Sequence, residues 1–175
     1  LCSRSGRAAG EGPTPFKGLA QVNVSINDVS DFAEVSLSHR AALAGVLHAA
    51  SVLRDKVLHS AKADDFLASL LPKALAAQRI HLTATCTPLE MLALYSSVTS
   101  LVGNVGQSNY AAANAYLDSL SPIRRAIGFV GSSVRIPAVA EAGMGAATFN
   151  KAQLNDIDAI SLDQFAKGLS VSVLV

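Results

Sequence analysis

The sequence predicts an α/β fold built on a parallel sheet with crossover helices, and three observations carry that prediction. Short runs rich in Val, Leu and Ile recur along the chain, and helix-like segments separate them. The runs are also continuously apolar instead of alternating with polar residues, as strands covered on both faces are.

In chain order, Arg7 to Gly18 is rich in glycine and proline and lacks periodicity, so it reads as a surface loop before the first strand, Ala20 to Ile26. A helix follows over Asp31 to Leu43, then a strand over Ala44 to His48. From Asp64 to Ala84, Phe66, Leu67, Leu70, Leu71, Ala74 and Leu75 recur at helical spacing. Pro72 lies inside that pattern and should kink or interrupt it, because it has no N–H and its ring clashes with the preceding turn. Met91 to Ser96 is the next strand, Ser108 to Ala126 a third helix and Gly128 to Ile136 the last strand. Ser161 with Gln164 forms a capping-box pattern opening a final helix. No repeat, low-complexity tract or domain boundary interrupts residues 1–175, which read as a single unit.

A chain of 175 residues, half of them hydrophobic, suffices for one sizeable core. Its 14 basic residues nearly cancel its 13 acidic ones, so no overall field favours nucleic acid or an anionic membrane. No apolar stretch approaches the ~20 residues needed to cross a bilayer. Cys2 and Cys86 lie far apart, without the spacing of a zinc site or disulfide scaffold, and read as reduced thiols of an intracellular, cytoplasmic protein. The chain opens on Leu1 with no methionine and reads as a piece of something longer.

The chemistry-bearing stretch is Tyr95-Ser96-Ser97-Val98 followed by Gly106-Gln107-Ser108-Asn109-Tyr110-Ala111-Ala112-Ala113-Asn114-Ala115. Ser97 falls at the carboxyl end of a strand, where open α/β sheets bind ligands. Tyr110 and Asn114, four apart at the start of the following helix, share one face. Taken alone, a serine at a strand end usually caps a turn, and a tyrosine near a helix start usually packs half-buried. Asp28 by itself suits a helix cap, His48 a core position and Lys73 a solvated helix face. The combination is less ordinary.

From Leu94 to Leu120 the sequence closely resembles the core of ketoreductase domains in type I modular polyketide synthases, members of the short-chain dehydrogenase/reductase superfamily. Gly45-Val46-Leu47-His48-Ala49-Ala50, Leu71-Pro72-Lys73 and Arg124-Arg125-Ala126-Ile127-Gly128 extend the resemblance. Most of the superfamily has Tyr-x-x-x-Lys with an asparagine on an earlier helix; here Asn114 follows Tyr110 and Lys73 lies upstream, the exchange found in polyketide and animal-type fatty acid synthase ketoreductases.

The resemblance implies a Rossmann-like, doubly wound parallel sheet in three α/β/α layers. This chain would be a partial domain over 1–175, lacking the first strand and the glycine-rich turn, and the isolated piece is expected to be inactive. The implied reaction is NADPH-dependent reduction of a β-ketoacyl group, carried by an acyl carrier protein, to the β-hydroxyacyl form, with neighbouring synthase domains as further partners. Tyr110 would give its proton to the carbonyl oxygen and Ser97 would hydrogen-bond it. Lys73 would supply an ammonium that favours the phenolate, and Asn114 would position water or Lys73 for reprotonation.

Cofactor contacts carry over to Ser3 and Arg4, where a guanidinium suits a 2′-phosphate, and to Asp28 and Val29 at the adenine. Ala49, Ala50 and Ser51 would lie along the nicotinamide ribose. The chain departs from the pattern where Ser51 replaces a glycine and where Arg135-Ile136-Pro137-Ala138-Val139 replaces an Asn-Trp-Gly-Pro-Trp-like run. The absence of tryptophan near Val102 and the partial motif Leu53-Arg54-Asp55 point to a D-configured alcohol. Two alternatives stay open: a fatty acid synthase ketoreductase, and a catalytically inactive structural domain.

Overall fold

The computed structural model describes residues 45–86, 89–148, 150, 154 and 157–172. The expected loop 7–18, strand 20–26 and helix 31–43 lie outside them. The described sheet has three parallel strands, β1 (Gly45–His48), β2 (Met91–Ser97) and β3 (Ser132–Ile136), side by side in that order. Gly45 pairs with Met91 and His48 with Leu94; Ala93 pairs with Ser132 and Ser97 with Ile136. Parallel neighbours need crossovers, and helices supply both, giving two successive βαβ units.

The first crossover holds α1 (Ala63–Leu70), a π turn (Leu71–Leu75) and α2 (Ala76–Ala84). The interruption expected at Pro72 is this π turn, in which Ala76 N–H donates to the carbonyl of Leu71, five residues back. A wider turn makes room for the proline ring and its missing donor without ending the helical path.

The second crossover holds a short α3 (Thr99–Val102), which the sequence pattern did not suggest, and α4 (Ser108–Ala126), with the expected bounds. β2 runs one residue beyond expectation, to Ser97, whereas β3 begins at Ser132 and not at Gly128. Gly128 has φ +86°, a left-handed conformation that suits a helix terminus better than a strand. The next residues stay tied to α4: Phe129 N–H donates to Arg124 O (2.9 Å), and the buried Arg124 Nε donates to Val130 O (2.8 Å).

Beyond β3 lie α5 (Gly143–Thr148) and α6 (Leu162–Ser172). The expected capping box opens α6, with Ser161 N–H donating to Gln164 Oε1 (2.8 Å) and Gln164 N–H to Ser161 Oγ (3.1 Å).

The core sits between one face of the sheet and the two helical crossovers. Leu92 and Leu94, alternate residues of β2, meet Ala77 and Ile80 of α2 and Leu117 and Leu120 of α4. Burying each large aliphatic side chain contributes about 1.5–3 kcal/mol, which fixes α4 against the sheet and aims its first turns at the strand ends. No helix among the described residues is long and apolar enough to cross a membrane, and Cys86 is a free, exposed thiol.

Candidate active site

Because the strands are parallel, their carboxyl ends share one edge, and the chain leaving them builds a cavity of about 660 Å³. β1 leads into Ala49 and Ser51, β2 ends on Ser97, and β3 runs on into Pro137, all of which line it. Lys73 of the π turn and Tyr110 of α4 complete the polar wall. Residues expected to act together from four separate stretches are thus brought together.

Ser97 and Tyr110 are each 8% exposed and Lys73 only 3%. Ser97 Oγ accepts hydrogen bonds from Thr99 N–H (3.3 Å) and Thr99 Oγ1 (3.0 Å), which leaves its own proton free to donate into the cavity. Lys73 Nζ lies 5.7 Å from the centroid of the Tyr110 ring and donates to Tyr95 O (2.7 Å). The π turn is held from below by His48, whose Nε2 donates to Lys73 O (2.9 Å). Its Nε2 therefore carries the proton.

Burial pushes the Lys73 ammonium down to about 8, against the opposing attraction of Asp118. Burial likewise pushes His48 down to about 4, so it is neutral at physiological pH, as the core reading of that histidine expects.

Asn114 lies outside the cavity wall. It is fully buried, Nδ2 donates to the backbone oxygen of Tyr110 (2.9 Å), and Oδ1 is buried with no partner among the described residues. Ser51 Oγ is also buried without a partner among the described residues, at the cavity edge beyond β1, and Ala50 sits half-buried between Ala49 and Ser51. Ser3, Arg4, Asp28 and Val29 lie outside the described residues.

Two functional-site neighbours escaped sequence reasoning. Gln107 lines the cavity and donates from Nε2 to Asp55 Oδ2 (2.9 Å), joining the loop after β1 to the entrance of α4. Asp118 gathers hydrogen bonds from two other elements. Its position four residues after Asn114 was the available signal, since i, i+4 and i+8 share a helix face.

A parallel α/β sheet with a polar cluster at its carboxyl edge is the architecture of Rossmann-like proteins. Within that class the chain belongs to the KR domain family, whose model matches residues 2–141. Over 144 residues it is 32% identical to the reducing polyketide synthase DEP5 of Fusarium langsethiae, covering 82% of this chain and 6% of that protein. Over 92 residues it is 48% identical to the polyketide synthase GfsA of Streptomyces halstedii, covering 53% of this chain and 1% of that one.

Among solved structures it resembles an A-type ketoreductase from a modular polyketide synthase, at TM-score 0.73 and 29% identity over 85% of this chain and 34% of the other. A ketoreductase from the first module of phoslactomycin biosynthesis in Streptomyces sp. HK803 gives TM-score 0.75 and 25% identity, covering 97% of this chain and 42% of that structure. The chain therefore spans a few per cent of the length of these curated relatives and under half of these solved ones.

Proposed function

We propose that this chain carries the catalytic part of a ketoreductase that reduces a β-ketoacyl thioester, held on an acyl carrier protein of a polyketide synthase, with NADPH as reductant. The observation that carries the proposal is the convergence of Tyr110, Ser97 and the buried Lys73 on one cavity at the sheet's carboxyl edge. In this reading Tyr110 Oη hands its proton to the substrate's carbonyl oxygen, and Ser97 Oγ donates a hydrogen bond to the same oxygen. The Lys73 ammonium, beside the ring, favours the phenolate left behind. Asn114 acts through α4, holding the Tyr110 carbonyl.

The described residues fit the nicotinamide end of such a cofactor. Ala49 is small, Ser51 Oγ is a buried polar atom with no partner among the described residues, and both border the cavity. When bound, the reduced nicotinamide supplies the hydride that the carbonyl carbon takes up. Ser3 and Arg4, with Asp28 and Val29, are the residues proposed to hold its adenosine phosphate end, and Ala50 its ribose.

The test is NADPH oxidation in the presence of a simple β-ketoacyl thioester, using the polypeptide that carries this chain. Tyr110→Phe should lower turnover at least ~100-fold, the ordinary worth of a general acid, while leaving NADPH binding unchanged. A folded, NADPH-binding protein without turnover would instead support the inactive structural reading. Ser51 and the Arg135 to Val139 segment, both departures from the family pattern, are the observations that favour that alternative.

A further inference from the structure

The cavity is polar on one share of its wall only. Among the described residues, every polar side chain that lines it comes from residues 51–110, and the chain from Ile136 onward adds none. That later share is made by Ile136, Val139, Met144, Ile157, Leu162 and Phe165, with small apolar residues between them. Met144, Ile157 and Leu162 remain 39–48% exposed although they line the cavity. Large apolar side chains left against water favour an occupant that is itself apolar.

Three contacts hold this wall together. Ile160 N–H donates to Ala138 O (2.9 Å) and Ala140 N–H to Ile160 O (3.0 Å), a parallel bridge that ties the approach to α6 to the continuation of β3. The Glu141 carboxylate accepts Leu162 N–H (2.5 Å) in the first turn of α6, where an anion is favoured. Gly145 of α5 packs so closely on Val139 that a Cβ there would lie 3.1 Å from its carbonyl oxygen. Ile136 and Val139 also stand where the family resemblance expects tryptophans, and the smaller side chains leave space along the wall.

The parts of a β-ketoacyl thioester differ in what they need from such a surface. The keto oxygen needs donors, which Ser97 and Tyr110 offer from β2 and α4. The thioester and the amides of a carrier arm would be left unpaired against a wall without donors or acceptors. An alkyl tail loses nothing there.

We propose that the wall formed by the continuation of β3, α5 and α6 is the acyl-tail subsite, and that it selects substrates with a fully reduced alkyl tail over tails bearing hydroxyl or keto groups. This rests on the ketoreductase reading and adds to it the chemistry of the substrate beyond the reacting carbonyl.

The test takes the polypeptide that carries this chain and β-ketoacyl thioesters of N-acetylcysteamine whose alkyl tails lengthen one methylene at a time. Each methylene buried against the wall should raise kcat/KM about fourfold until the tail outgrows the cavity. A hydroxyl at the end of a tail of the same length should lower kcat/KM about tenfold. Leu162→Asn, at a half-exposed position that the core does not depend on, should weaken both effects.

Isothermal titration of the matching β-hydroxyacyl thioesters, with the oxidised cofactor present, reads the same preference as Kd without turnover. Tail-dependent binding in a protein that turns nothing over would keep the subsite and sink the ketoreductase reading. Turnover and binding indifferent to tail length and polarity would keep the reductase and overturn the proposal, leaving the wall to the nicotinamide or to another protein.

Discussion

Lys73 is a buried lysine in the π turn, donating to Tyr95 O of β2 and lying beside the Tyr110 ring of α4. A lysine that titrates near 8 exchanges protons at physiological pH, as one titrating at 10.5 does not. The shift also has a stability signature. Between pH 8 and 10.5 the unfolded chain binds more protons at this residue than the folded one, so its contribution to stability rises with pH across that window. Below pH 8 both states hold the proton and the folded state bears the full cost of burying it. Relative to wild type, Lys73→Met should therefore show its greatest gain, or smallest loss, in Tm near pH 7, and that difference should turn less favourable to the variant by pH 10. Thermal unfolding at both pH values checks this, and a pH-independent difference would contradict it.

At the scale of elements, α4 joins core and cavity, since the same helix supplies Tyr110 to the cavity wall and Leu117 and Leu120 to the core. Its far end is locked by Arg124, which is fully buried and donates from Nη1 to His81 Nδ1 of α2 (2.7 Å) while its guanidinium faces the Phe129 ring. Leu117→Ala should cost about 2–5 kcal/mol by leaving a cavity between α4 and β2. Because the loss also loosens α4, turnover should fall in step with stability, whereas Tyr110→Phe should lower turnover with the melting temperature nearly unchanged. Denaturant unfolding beside steady-state kinetics separates the two. Equal melting temperatures for Leu117→Ala and wild type would refute the packing account.

For the whole molecule, the proposed function assigns the substrate and nicotinamide end of the site to the described residues and discrimination between NADPH and NADH to Arg4. A hydrogen bond to a charged group contributes about 1.5–3 kcal/mol, so Arg4→Ala should reduce the preference of kcat/KM for NADPH over NADH by about 10- to 100-fold, chiefly by raising the KM for NADPH. Steady-state kinetics with both cofactors measures it. An unchanged preference would remove Arg4 from the 2′-phosphate and leave the assignment of Tyr110 and Ser97 intact.

Local pattern was enough for the α/β class, for the strands around His48 and Ser96, for α4 and for the Ser161–Gln164 capping box, because apolar runs, helical periodicity and capping are written in neighbouring residues. That Ser97 and Tyr110 would line one cavity was also foreseeable, through the family resemblance of one continuous stretch. Tertiary contacts decided the rest. Pro72 became a π turn because packing of α1 against α4 and of α2 on the sheet favours a continuous helical path over a break. Residues 128–131 left the expected strand because Arg124 holds them to α4. Asp118 gained its place from donors on α3 and β3, and Gln107 met Asp55 across 52 residues of chain. Long-range hydrogen bonds and buried charge depend on which elements the core brings side by side, and residue types at local spacing carry no record of that.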